Sequence, residues 1–257
     1  MKRTLFFMMP LCFPFSVFAA EGQAIHYHAA DAPSEPVIYI GNTAPIMDQA
    51  TYFHGILDEF EGRYSPGKSD FRWDGEAWYG TDYDRVWIRS EGTVSGGKMG
   101  DGQQELLYSH AISTYFNLQG GVRADLDDGP ERTWGAFGIQ GLALYQFELQ
   151  ATGYVSDRGR FAGRLEGSYD FLLTNRLILQ PQAELNFYTK SDAARQVGSG
   201  LSDIDAGLRL RYEIWRKFAP YVAVTYAGQI GQARHIVQGQ GERSGSTRFT
   251  FGIRGWF

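Results

Sequence analysis

The chain has 257 residues, of which 32 are glycine and 15% are aromatic, and it carries a formal net charge of −5. This composition excludes collagen, coiled coil and low-complexity disorder. With 21% charged residues and no run of about 20 apolar residues after the N-terminus, it also excludes a helical membrane protein. The acidic balance, with no basic cluster, excludes nucleic acid as a partner.

In chain order, residues 1–20 read as a cleaved secretory signal peptide. Lys2 and Arg3 open it, an apolar stretch from Leu5 to Phe18 follows, and Ala19 and Ala20 end it. Pro10 and Pro14 interrupt the apolar stretch, which argues against a membrane anchor. Cleavage removes Cys12, the single cysteine, so no disulfide is expected. It also leaves the mature chain two charges more acidic, through loss of Lys2 and Arg3. Residues 21–52 read as a short flexible periplasmic segment. There His26, Tyr27 and His28 place two imidazoles on one side of an extended chain, and Met47 follows. His26, His28 and Met47 are the candidate metal ligands, and the competing reading is a solvated tail.

From residue 53 onward the pattern has period two. Over 160–173 one parity carries Phe161, Leu165, Tyr169, Phe171 and Leu173, and the other carries Arg160, Arg164, Glu166 and Asp170. Twelve such runs lie near 53–64, 71–80, 85–95, 103–112, 116–126, 133–142, 145–155, 160–173, 177–189, 201–214, 218–230 and 246–257. Turn-like stretches separate them, such as Thr174-Asn175-Arg176, with longer loops over 190–200 and 231–245. The runs are roughly 10–14 residues long. A strand crossing an outer membrane at a tilt needs about 9–11 residues, whereas sandwich strands average about 5–6. The expected fold is therefore all-β: an antiparallel transmembrane β-barrel of about twelve strands over 53–257.

Its last strand places Phe249, Phe251, Ile253 and Phe257 on one parity and ends on Phe257, a pattern expected to be read by the barrel-assembly machinery. The polar parity is expected to face the lumen. Arg164, Glu166 and Asp170 would sit near Glu184, with Asp203, Asp205, Arg209, Arg211 and Glu213 one strand further on. Two readings stand: an interior filled by salt bridges and hydrogen bonds, or a narrow polar path for an ion or small solute. Trp78, Trp87, Tyr108, Tyr145, Tyr188 and Trp256 are candidates for interfacial girdles. An enzyme is not expected. Ser109 and His110 are adjacent and point to opposite faces of a strand, and the common catalytic motifs are absent.

Several stretches resemble the copper-resistance protein B family of outer-membrane proteins. They are 84–92 (D-R-V-W-I-R-S-E-G), 106–112 (L-L-Y-S-H-A-I), 118–123 (L-Q-G-G-V-R), 132–134 (R-T-W), 169–181 (Y-D-F-L-L-T-N-R-L-I-L-Q-P), and 198–203 (G-S-G-L-S-D) through 208–213 (L-R-L-R-Y-E). The resemblance covers roughly 50–257. It implies an outer-membrane barrel that contributes to copper resistance by binding copper ions, exporting them or limiting their inflow. It also implies a periplasmic multicopper oxidase as functional companion. Family members often carry a Met- and His-rich segment before the barrel, suited to copper because thioether selects Cu(I) and imidazole suits Cu(II). Here that segment holds only His26, His28 and Met47. The alternative is a general small-solute porin or a structural barrel without copper binding.

Overall fold

A sheet that is apolar on its outer face and polar on its inner face cannot sit in lipid with unpaired edges, so it has to close on itself. The computed structural model, which describes residues 50–126, 132–156 and 159–257, shows this closure. The strands are β1 (Tyr52–Ser65), β2 (Lys68–Gly80), β3 (Asp84–Ser95), β4 (Lys98–Ala111), β5 (Phe116–Asp125), β6 (Arg132–Ala143), β7 (Phe147–Ser156), β8 (Phe161–Ser168), β9 (Phe171–Leu172), β10 (Leu177–Tyr188), β11 (Gly200–Tyr212), β12 (Phe218–Gln229) and β13 (Gly245–Trp256). Each long strand pairs antiparallel with its neighbours. β1 closes against β13 with Ile56 opposite Trp256 and Tyr64 opposite Phe249. The result is a twelve-strand antiparallel barrel with β9 as an extra short strand on β10.

Even strand number puts both ends of the barrel chain at one end, called here the terminal end. There Gly55 and Phe257 exchange N–H···O bonds of 2.9 Å in both directions. Turns at the terminal end are short. The opposite, distal end holds the tight turns after β1 and β3, the latter through Gly96 and Gly97 with φ of 58° and 79°, as a two-residue hairpin requires. It also holds the two longest connections, 189–199 and 230–244.

Exposed side chains on the outer parity are apolar. Ile88, Leu106, Leu118, Val122, Phe137, Val222, Phe249 and Phe251 all stand on the outside. No helix among the described residues is long and apolar enough to cross a membrane; this chain crosses with strands.

Two elements differ from the sequence reading. The run 160–173 is not one strand: β8 stops at Ser168 and the two-residue β9 follows. The register explains the break. Ser168 faces Gln182, so Tyr169 faces Pro181. Tyr169 donates its N–H to the Pro181 carbonyl at 3.1 Å, but proline has no N–H to return. Second, 231–245 is not simply a loop. It contains the helix α1 (Gly231–Gly239), which buries Ala233 and Val237 one turn apart. His235, read as a loop residue, lies on this helix and is exposed.

Candidate functional site

The lumen is built by the inward parity of every long strand. Alternation would send the consecutive Asp58 and Glu59 to opposite faces. A bulge in β1 between Leu57 and Phe60 turns both inward. The two carboxylates then share Arg209, and each takes further arginines. Asp58 accepts from Arg209 at 3.0 Å and Arg254 at 2.5 Å. Glu59 accepts from Arg209 at 2.6 Å, Arg72 at 2.7 Å and Arg63 at 3.2 Å, and from the Gln182 amide at 3.1 Å.

Further contacts cross the lumen. Arg164 on β8 donates to Glu91 on β3 at 2.5 Å and lies 3.2 Å from Glu184 and 3.4 Å from Glu166. Arg72 lies 3.7 Å from Glu91 and 3.9 Å from Glu184. Arg63 pairs with Asp205 at 3.3 Å and also with Glu61, which accepts from the Tyr221 hydroxyl at 2.5 Å. The Asn186 amide bridges Glu184 at 2.7 Å and Asp203 at 2.9 Å. Arg211 pairs with Asp170. A guanidinium offers five donors in a planar fork, so one arginine can tie carboxylates on several strands.

The structure thus brings together Arg164, Glu166, Glu184, Asp203, Asp205 and Arg209, with the Arg211–Asp170 pair joined to Arg209 through the Gln180 side chain. Glu213 stands apart. It follows the end of β11 in a terminal-end turn, where its backbone N–H meets the Arg176 carbonyl at 2.8 Å. The network also takes in residues that the sequence reading did not name, on strands it did: Asp58, Glu59, Arg63, Arg72 and Glu91 on β1 to β3. The signal was present there, since Glu59, Glu61 and Arg63 keep one parity, as do Arg72, Asp74 and Glu76.

One wall of the lumen is apolar, which parity of charge alone does not reveal. Trp87, Leu107, Trp134, Ala136 and Tyr154 form a buried cluster inside β3 to β7, with Trp78 packed against it. Trp87 and Trp78 are therefore lumenal and not girdle residues, because they share the inward parity of Arg89 and Glu76. Tyr108 does stand outside, 54% exposed, while Tyr145 lies in the turn between β6 and β7, 86% exposed. Ser109 points inward and is buried, while His110 points outward and meets Asp84 at 2.7 Å.

Between the bridges and the terminal end the lumen opens into a cavity of about 1060 Å³. Eleven carboxylates and six arginines line it, among them Asp74, Glu76, Glu105 and Glu148. At its mouth the His54 ring sits between Trp78 and Trp256, with centroids 5.8 and 5.6 Å away. Among the described residues no group of three or more His, Cys, Asp or Glu side chains is arranged to hold a metal ion. His26, His28 and Met47 lie outside the described residues. Phe249 and Phe251 face outward, and Phe257 packs its ring over Gly55, where a Cβ would lie 2.6 Å from the ring.

A closed twelve-strand antiparallel barrel, apolar outside and polar within, defines an outer-membrane β-barrel. The fold is similar to that of the NanC porin, with a TM-score of 0.53 at 12% identity, over 79% of this chain and 99% of that one. The family described as "Copper resistance protein B precursor (CopB)" matches residues 51–257. Among curated relatives, "Copper resistance protein B" of Escherichia coli is 45% identical over 82% of this chain and 72% of its own length. "Copper resistance protein B homolog" of Pseudomonas syringae pv. tomato (strain ATCC BAA-871 / DC3000) is 42% identical over the same shares. The chain belongs to the copper resistance protein B family.

Proposed function

We propose that the protein contributes to copper resistance by drawing copper ions into the acid-rich cavity from the terminal end. The ions are held by His26, His28 and Met47 in the segment before the barrel. In this reading the terminal end faces the periplasm, because short turns are periplasmic and long loops external in outer-membrane barrels. The observation that carries the proposal is the cavity wall, where eleven carboxylates outnumber six arginines around about 1060 Å³. A concave wall with an excess of one sign concentrates counter-ions. Carboxylates suit copper less than imidazole or thioether, so the cavity attracts without tight chelation and copper is cargo.

The bridges across the middle, such as Arg164 to Glu91, support a barrel that limits inflow over a general small-solute porin. The chain performs no catalysis in this reading. A periplasmic multicopper oxidase is the companion that the family resemblance suggests, meeting the barrel at its terminal end, and the cleaved signal peptide delivers the chain there.

The test is a titration of the folded protein in detergent with Cu(I) and Cu(II) separately, beside a version lacking residues 21–50. Stoichiometric binding lost on truncation supports the segment as the holding site. Binding that survives truncation moves the site into the barrel. No binding tighter than about 1 mM overturns the copper-holding role and leaves a permeability or structural one.

A further inference from the structure

The distal end carries a cover that no wall strand needs. The connection 189–199 leaves β10 and returns to β11, yet its side chains reach β6 and β5, three and four strands round the ring from β10. Asp192 pairs with Arg132 at the start of β6 and accepts from Arg160 before β8 at 2.8 Å. Arg195 reaches Asp125 on β5 at 3.3 Å, and Asp125 is itself held by Arg123 at 2.7 Å and Trp134 at 2.9 Å.

The same connection is sewn to α1. Gln196, at a left-handed φ of 58°, donates to Gln240 at 3.0 Å and to Glu242 at 3.1 Å. Gln240 donates back to the Ala193 carbonyl at 3.2 Å, and Ser199 donates to Gln232 at 2.6 Å. At Gly198 the backbone lies so close to α1 that a Cβ would sit 2.2 Å from the Ala233 nitrogen. Ala233 and Val237 are 0% and 1% exposed beneath. A hydrophilic connection normally runs over the surface with few ties, whereas this one is held by charge-assisted bonds to β5, to β6 and to Arg160 before β8.

We propose that 189–199 and α1 together form a lid over the distal end of the lumen. Asp192 is its catch, and release of the catch exposes the upper lumen to the distal side. The Gln196, Gln240 and Ser199 bonds join the connection to α1, so the two move as one piece. This inference does not depend on the copper reading, because it concerns access alone.

The experiment measures labelling of a lumenal cysteine beneath the lid by a membrane-impermeant maleimide. Thr225 on β12 faces inward, is 3% exposed and has a hydroxyl without a hydrogen-bond partner among the described residues, so Thr225→Cys is a mild probe. The full-length chain, with Cys12→Ser, is assayed in isolated outer membranes. Asp192→Asn speeds labelling about ten-fold, as weakening of its charge-assisted bonds to Arg132 and Arg160 allows, while Asp192→Glu keeps the slow rate. Gly198→Ala, which wedges the connection from α1 without touching the catch, also speeds it. Barrel integrity is checked by heat-modifiable gel mobility. Equal labelling rates in the parent, Asp192→Asn and Gly198→Ala chains, all heat-modifiable, overturn the lid.

Discussion

Arg164 on β8 and Glu91 on β3 meet across the lumen at 2.5 Å, 73 residues apart in sequence. The side chains are only 9% and 13% exposed, so the pair is shielded from the solvent screening that makes surface ion pairs weak. Each partner also serves others: Arg72 approaches Glu91, and Glu184 approaches Arg164. Removing one partner therefore strands the rest. Arg164→Gln is expected to lower barrel stability by about 3 kcal/mol, the usual effect of leaving a buried charge unpaired. The double variant Arg164→Gln with Glu91→Gln is expected to lose less than the sum of the single variants. Urea unfolding in lipid vesicles, analysed as a double-mutant cycle, measures both, and additive losses would show that the pair does not couple.

The lid responds to pH in a defined direction. Outside the membrane-spanning strands, the Arg132 and Arg160 guanidinium groups hold the Asp192 carboxyl down to about 2, against the opposing effect of burial. A carboxyl depressed below its unfolded value of about 3.9 stabilises the folded form above that value. That contribution is lost as pH falls through about 2. Backbone amides of 192–199 are thus expected to stay protected from hydrogen exchange through about pH 4 and to lose protection near pH 2. Loss of protection already between pH 7 and 5 would contradict the assignment of Asp192 as the catch.

Phe257 closes the barrel through its backbone and covers Gly55 with its ring. The terminal aromatic pattern of Phe249, Phe251, Ile253 and Phe257 is the expected assembly signal. Phe257→Ala is expected to reduce the heat-modifiable fraction in outer membranes several-fold. The same purified variant should refold in detergent nearly as well as the parent, because only ring contacts at the rim are lost. Equal loss in both settings would mean that the ring matters for folding and not for recognition.

Much of this architecture is legible in the sequence, for a reason seen in β8 and β10 to β13. When lipid covers one face and charge fills the other, period two is written without ambiguity, and all twelve runs carry a strand. What escapes is whatever breaks the period. The bulge that turns Asp58 and Glu59 inward together leaves no mark in composition. The gap after Ser168 depends on Pro181, thirteen residues away and on another strand. The helix α1 buries only Ala233 and Val237, too short a stripe to show a helical repeat. The apolar wall of Trp87, Leu107, Trp134 and Tyr154 is hidden for the opposite reason: these residues look outward-facing until the parity of the whole strand is followed. For the site, the charged residues of 160–214 were visible, but their partners on β1 to β3 are distant in sequence.

The most direct test of the central claim is copper tolerance in cells lacking their own copy of the gene. Asp82 and Glu148 line the cavity apart from the arginine bridges described above, so Asp82→Asn with Glu148→Gln reduces its negative charge without cutting Arg164, Arg72 or Arg209 from their partners. If the cavity draws copper ions toward the ligands that hold them, this variant assembles at the parental level and leaves cells measurably more copper-sensitive than the parental gene does. Full tolerance from a normally assembled variant would contradict a role for the cavity charge in copper resistance.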